Sequence, residues 1–172
     1  MLHNFMCAAR EAGVSMGRFR TDPEAIARAF LLAVERYGYD GILVDVDTVT
    51  LAAAAGVPVD LPDNEPARAT GGALRSLEEA RDIPPVNILD SPGIQVWLEA
   101  VRLIARRAGD EIYLRGNCDQ SPFTLAALIR GMNDWLIECL DPEKEDLVHL
   151  LLERAAELTT QFLRAMAGTG AH

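Results

Sequence analysis

The 172-residue sequence is short of most features that betray a function. Its three cysteines, Cys7, Cys118 and Cys139, are odd in number and far apart. That excludes a disulfide framework and makes a reducing, cytoplasmic setting the expectation. Its histidines, His3, His149 and His172, are scattered, and no CxxC, HxxxH, HExxH or His-x-Cys pattern occurs. No metal site built by this chain alone is therefore expected. Basic residues number 16 against 26 acidic ones, a net charge of −10, so there is no basic stripe for nucleic acid. No apolar run approaches the roughly 20 residues of a membrane helix. The opening MLHNFMCAAR lacks the basic start and long apolar middle of a secretory signal, and neither membrane insertion nor export is expected.

What is present is enough apolar material, 49% of residues, for one domain with a real core over residues 1–172. Tyr39 to Gly56 organises it. Ile42, Leu43, Val44 and Val46 form a near-continuous apolar run broken by Asp45 and Asp47. Such a run predicts a parallel strand buried on both faces. Alternation along a strand puts both aspartates on the same side. Carboxylates late in a buried strand are costly unless they are paired or used, or cap the following turn.

Around this strand the punctuation is explicit. His3 to Ala9 reads as a short first strand followed by a loop at Arg10–Gly13. Asp22-Pro23 opens a helix whose apolar face is Ile26, Phe30, Ala33, Val34 and Tyr37, with Gly38 as its stop. Residues 57–91 form a proline-broken excursion, with a short extended arm at Val57, Val59 and Leu61 and a helical turn near Leu77. Ser91-Pro92 opens a second helix ending at Gly109, and Glu111 to Cys118 reads as the next strand. Ser121-Pro122 opens a helix broken at Gly131, a short apolar helix holds Trp135, and Asp141-Pro142 opens the longest helix, stopped by Gly168. The order is that of an alternating α/β chain ending where a further strand should begin.

Parallel strands gather their carboxyl ends at one face, where chemistry sits in such sheets. That collects Arg10, Asp45, Asp47, Asn117, Cys118 and Asp119 beside the start of the Ser121 helix. Asp47 is the candidate proton carrier or charge stabiliser. Arg10 is the candidate carboxylate holder. Asp45, Asn117, Cys118 and Asp119 are the candidate substrate contacts, Cys118 being more readily read as a small buried residue than as a nucleophile.

Three stretches carry a family resemblance. Arg10-Glu11-Ala12-Gly13 resembles an Arg-Gln-Ala-Gly motif that follows the first barrel strand of uroporphyrinogen decarboxylases. Tyr39 to Gly56 resembles the strand bearing their essential aspartate, which falls on Asp47. Ser121-Pro122-Phe123-Thr124-Leu125 through Gly131 is similar to their Gly-Pro-Phe-Thr-Leu helix start. The likeness runs through nearly the whole chain. It implies the N-terminal half of a TIM (β/α)8 barrel in a superfamily that also holds corrinoid-dependent methyltransferases. Val14 stands where the decarboxylase has a second arginine, and Leu128 near its substrate-contacting tyrosine. The long excursion is more like the methyltransferase branch. That branch implies zinc and a corrinoid protein, with zinc ligands that this chain lacks. The readings are a methyltransferase fragment acting on a thiol or similar acceptor, a uroporphyrinogen decarboxylase, or a half-barrel that only binds or assembles. An open half-barrel further predicts a homodimer or the remainder of a longer enzyme, because Leu43, Val44, Val46, Ile112 and Leu114 would lose part of their covering.

Overall fold

A computed structural model describes residues 5–172. The segment expected as a first strand is instead helix α1 (Phe5–Glu11), followed by α2 (Met16–Thr21). Residues 3 and 4 of that expected strand lie outside the described residues. A short apolar run such as Phe5-Met6-Cys7-Ala8-Ala9 fits a buried helix as well as a strand, and packing decides. Ala8 and Ala9 are buried as α1 lies along α3 (Pro23–Tyr37). Arg10 accordingly follows no strand. The α3 boundaries are as the sequence predicts. The Asp22 carboxylate accepts the N–H groups of Glu24 and Ala25 at 3.0 and 3.1 Å, and Gly38 closes the helix in the left-handed region at φ 64°.

Strand β1 (Gly41–Val44) comes next, then the short helix α4 (Thr50–Ala54). The excursion contains a hairpin, β2 (Val59–Asp60) antiparallel to β3 (Arg68–Ala69), and 3-10 turns at Leu77–Asp82 and Ile88–Asp90. The expected extended arm and helical turn are both there. Helix α5 (Pro92–Ala108) returns the chain to β4 (Tyr113–Gly116), which pairs parallel with β1 from Gly41 opposite Tyr113 to Val44 opposite Gly116. Two helices, α6 (Pro122–Arg130) and α7 (Met132–Glu138), lead through a 3-10 turn at Pro142–Lys144 into α8 (Glu145–Ala167).

The sheet lies against a helical layer. Ile42, Val44 and Leu114 are fully buried, and the Trp97 ring of α5 meets Phe162 of α8 edge-on at 5.3 Å. The Trp97 indole N–H donates to the Val44 carbonyl at 3.3 Å, tying α5 to the end of β1. The helices thus cover Val44, Val46 and Leu114, contrary to the expectation that an open half-barrel would bare them. On the alternate face only β4 is uncovered, with Tyr113 49% exposed and Arg115 also exposed, whereas Leu43 of β1 is buried there too. At the far edge of β4 the His172 N–H donates to the Leu114 carbonyl at 2.7 Å. The last residue therefore sits where a further strand would pair.

The excursion is held against α6 by the N–H groups of Ala73 and Leu74, both donated to the Ile129 carbonyl at 2.7 and 3.0 Å. This contact needs a glycine at 72. A Cβ there would lie 2.6 Å from the carbonyl carbon and oxygen of Arg130, whereas one at Gly71 would meet nothing closer than Pro58 at 4.0 Å. Gly72→Ala is expected to destabilise the protein by roughly 1–3 kcal/mol, the usual cost of forced overpacking, and Gly71→Ala by far less. Urea unfolding of the two variants side by side checks this.

Candidate functional site

The site is built where β1 and β4 end. The expected strand ends at Val44, before both aspartates: Asp45 to Asp47 carry no regular structure, and the chain then turns into α4. Both aspartates are nearly sealed, at 5% and 3% exposure. Asp47 Oδ1 accepts three hydrogen bonds, from the N–H groups of Val49 and Thr50 and from the Thr50 hydroxyl, each 2.8 Å. It thereby caps α4, whose flanking Val49 has no side chain able to do so. Asp45 Oδ1 accepts the Val46 N–H at 3.1 Å.

Asp119, three residues beyond β4, completes the group. Its backbone holds a left-handed φ of 60°, uncommon for a residue other than glycine. Its Oδ2 accepts the Leu51 N–H at 3.0 Å and its Oδ1 accepts the Gln120 amide at 2.8 Å, while that amide also donates to the Thr48 carbonyl at 2.9 Å. Carboxylates from two strand ends therefore satisfy the first free N–H groups of α4. Burial pushes the Asp119 carboxyl up to about 7, with the charges of Asp47 and Asp45 adding to the rise against the opposing bonds from Leu51 and Gln120. Near neutrality it both gives and takes a proton, as a general acid or base must. Burial, then the Asp119 charge, pushes the Cys118 thiol up to about 11, so it is a neutral thiol at physiological pH. Asn117 and Cys118 are half-buried in the segment between β4 and Asp119.

Arg10 is exposed in the last turn of α1, and its neighbour Glu11 pairs with Arg36 of α3. The arginine beside Asp47 is Arg20, at the end of α2, which the sequence reading missed. Its Nε lies 3.8 Å from Asp47 Oδ2, and the two side chains are 5% and 4% exposed. Its Nη1 donates to the Pro62 carbonyl at 2.7 Å and its Nη2 to that of Glu65 at 3.4 Å. Nothing local in Phe19-Arg20-Thr21 signals a contact to carbonyls more than 40 residues away. A cavity of about 320 Å³ opens beside this pair, with Thr50, Leu61, Ser91 and Val96 in its wall. Among the described residues no three histidine, cysteine or acidic side chains converge in a way that would hold a metal ion. The groups present do not by themselves fit a zinc site.

The uroporphyrinogen decarboxylase (URO-D) family model matches residues 4–172, and the chain belongs to that family. It is 28% identical to a uroporphyrinogen decarboxylase of Bordetella petrii over 174 residues, covering 99% of this chain and 47% of that one. It is 30% identical to one of Methylococcus capsulatus over 167 residues, covering 94% of this chain and 46% of the relative. The chain thus spans about half the length of the curated relatives it matches. A solved structure, a methyltransferase from Methanosarcina mazei, superposes with a TM-score of 0.85 at 23% identity, over 98% of this chain and 49% of that one. The shared fold is half of a β/α barrel.

The raised Asp119 carboxyl has a consequence for stability. Between its ordinary value and about 7 the folded protein holds a proton that the unfolded chain has released, so stability falls as pH rises through that window. Asp119→Asn keeps an acceptor for Leu51 and also tolerates positive φ. It is expected to flatten this slope, stabilising the protein by roughly 1–3 kcal/mol more at pH 8 than at pH 5. Denaturant unfolding at the two pH values measures the difference.

Proposed function

We propose that this chain is the acid–base half of a methyltransferase of the uroporphyrinogen decarboxylase superfamily, one that moves a methyl group from a corrinoid-linked donor to a thiol or similar acceptor. The observation that carries this reading is the charge of the site. Three carboxylates, Asp45, Asp47 and Asp119, stand at the strand ends, and the arginine beside them already gives two donors to loop carbonyls. A substrate with eight carboxylates would meet repulsion there, whereas a neutral thiol would not. A thiol that accepts a methyl group must lose its proton. Asp119, close to half-ionised at neutrality, is the group that takes it, while Asp47 orients the acceptor through Oδ2. Asp45, Asn117 and Cys118 are assigned as substrate contacts near the strand ends, and Arg10, on the surface of α1, is assigned no part. Zinc ligands would have to come from other polypeptide, and no step here depends on the metal.

A second reading, uroporphyrinogen decarboxylation, is favoured by the names of the curated relatives and by the position of Asp47 at the end of β1. A half-barrel that only binds or assembles is the third. In each case we infer a cytoplasmic protein acting with a second copy or with the rest of a longer enzyme. Support for such a partner is the exposed apolar surface of α6, α7 and the turn after it, where Phe123, Leu136, Ile137 and Leu140 are 48%, 48%, 68% and 85% exposed, together with the uncovered face at Tyr113. No helix among the described residues is long and apolar enough to cross a membrane.

The test is a pair of assays on the same preparation. Methylcobalamin with a small thiol should yield the methyl thioether, with Asp47→Ala and Asp119→Asn each reducing the rate by about 10²-fold or more. Uroporphyrin should bind at most weakly. Tight uroporphyrin binding without thioether formation would move the assignment to the decarboxylase, and neither response would leave the binding module. Light scattering coupled to size exclusion is expected to give a dimer, and a well-behaved monomer at micromolar concentration would remove the partner from this reading.

A further inference from the structure

The two oxygens of Asp47 are in different situations. Oδ1 is saturated by Val49, Thr50 and the Thr50 hydroxyl. Oδ2 faces Arg20 Nε at 3.8 Å, and that buried Nε has no hydrogen-bond acceptor. A buried guanidinium and carboxylate free to move would close to roughly 2.7–2.9 Å. The rest of the guanidinium is engaged by the excursion. The Pro62 and Glu65 carbonyls, in the loop joining β2 to β3, take the other two guanidinium nitrogens. That loop is pinned to α2 through the Gly17 N–H, which donates to Asp63 Oδ1 at 2.6 Å. It is braced internally by Arg68, paired with Asp60 at 2.5 Å and with Glu65 at 2.7 Å.

We propose that Arg20 is a positioning residue through which the docked hairpin keeps Asp47 Oδ2 open to a hydrogen-bond donor on the substrate. With the hairpin docked, the guanidinium supplies positive charge without occupying the oxygen. With the hairpin released, Arg20 loses its carbonyl acceptors, closes on Oδ2 and shuts the site. The charged groups facing Asp47 are Arg20 from α2, Asp45 from the same segment and Asp119 from beyond β4, so Arg20 is the cation of this set. The ligand class that Oδ2 then selects is a thiol, hydroxyl or N–H rather than an anion. This rests on the reading of Asp47 as a reactive group, but its test needs no turnover.

The test follows the Arg20 Nε–H resonance by NMR in the whole chain. Asp63→Ala removes the pin from an exposed position without touching Arg20 or Asp47. Gly17→Ala displaces it from the other side, because a Cβ there would lie 2.6 Å from Asp63 Oδ1. Both variants should speed amide exchange across 60–66 and move the Nε–H resonance downfield, the mark of a closer hydrogen bond. Adding Asp47→Asn to either should abolish the downfield shift. A resonance that stays put while the hairpin amides exchange faster overturns the proposal. So does a shift that survives Asp47→Asn, or a hairpin unaltered in both variants, since the pin would then hold nothing. Absence of methyl transfer with the shift intact would count against the proposed reaction alone.

Discussion

The structure depends on what a single carboxylate oxygen does. Asp47 Oδ1 gathers two backbone N–H groups and a hydroxyl, and in doing so starts a helix three residues beyond it. A five-residue helix such as α4 has no stability of its own, because its nucleation cost is never recovered within its length. It persists because Asp47 and Asp119 meet its first N–H groups and because Leu51 and Ala52 are fully buried beneath it. The end of β1, the start of α4 and the end of β4 are therefore one unit. The two oxygens of Asp47 are unequal: Oδ1 makes the cap, while Oδ2 faces the Arg20 guanidinium and takes no part in it.

Much of this was legible in the sequence, for identifiable reasons. Proline after aspartate or serine fixes a helix start whether or not the cap side chain is used. Ser121 accepts the Thr124 N–H, while Ser91 makes no such bond, yet both helices begin where predicted. The apolar run of β1 was legible because its length and β-branching suit a strand buried on both faces. The convergence of Asp45, Asp47 and Asp119 followed from parallel pairing, which brings strand ends together whatever lies between them. Gly41 belongs to that pairing in a way sequence does not announce, since a Cβ there would lie 2.6 Å from the Tyr113 carbonyl oxygen.

The N-terminal segment was misread because its local signal is ambiguous. Five apolar residues in a row suit a short strand or a short buried helix equally, and what chose the helix is the surface of α3, some 20 residues further on. The same ambiguity explains Arg10. Arg-Glu-Ala-Gly is a motif of four residues, three of them good helix formers and the fourth a common helix stop, so it recurs at any helix end. Here it is one, with Gly13 at φ 65°. Arg20 was invisible for the opposite reason. Its partners are backbone carbonyls, and an acceptor that every residue possesses leaves no mark on sequence.

The electrostatics of the site then follow from how each buried charge is compensated. Leaving three carboxylates unpaired out of water would cost more than a small domain's entire stability, of the order of 5–15 kcal/mol. Asp47 meets this with three donors and a nearby guanidinium. Asp119 has its Leu51 and Gln120 donors but a less complete set, and it meets the balance by holding a proton up to about pH 7. Burial, with the neighbouring Asp47 and Asp45 charges and against the Leu51 and Gln120 bonds, is what places its titration near neutrality. Residues that stabilise a fold are those whose polar groups are fully satisfied, and by that measure Asp47 Oδ1 is structural. Asp119 is balanced by a proton, and Asp47 Oδ2 faces a guanidinium that does not close on it.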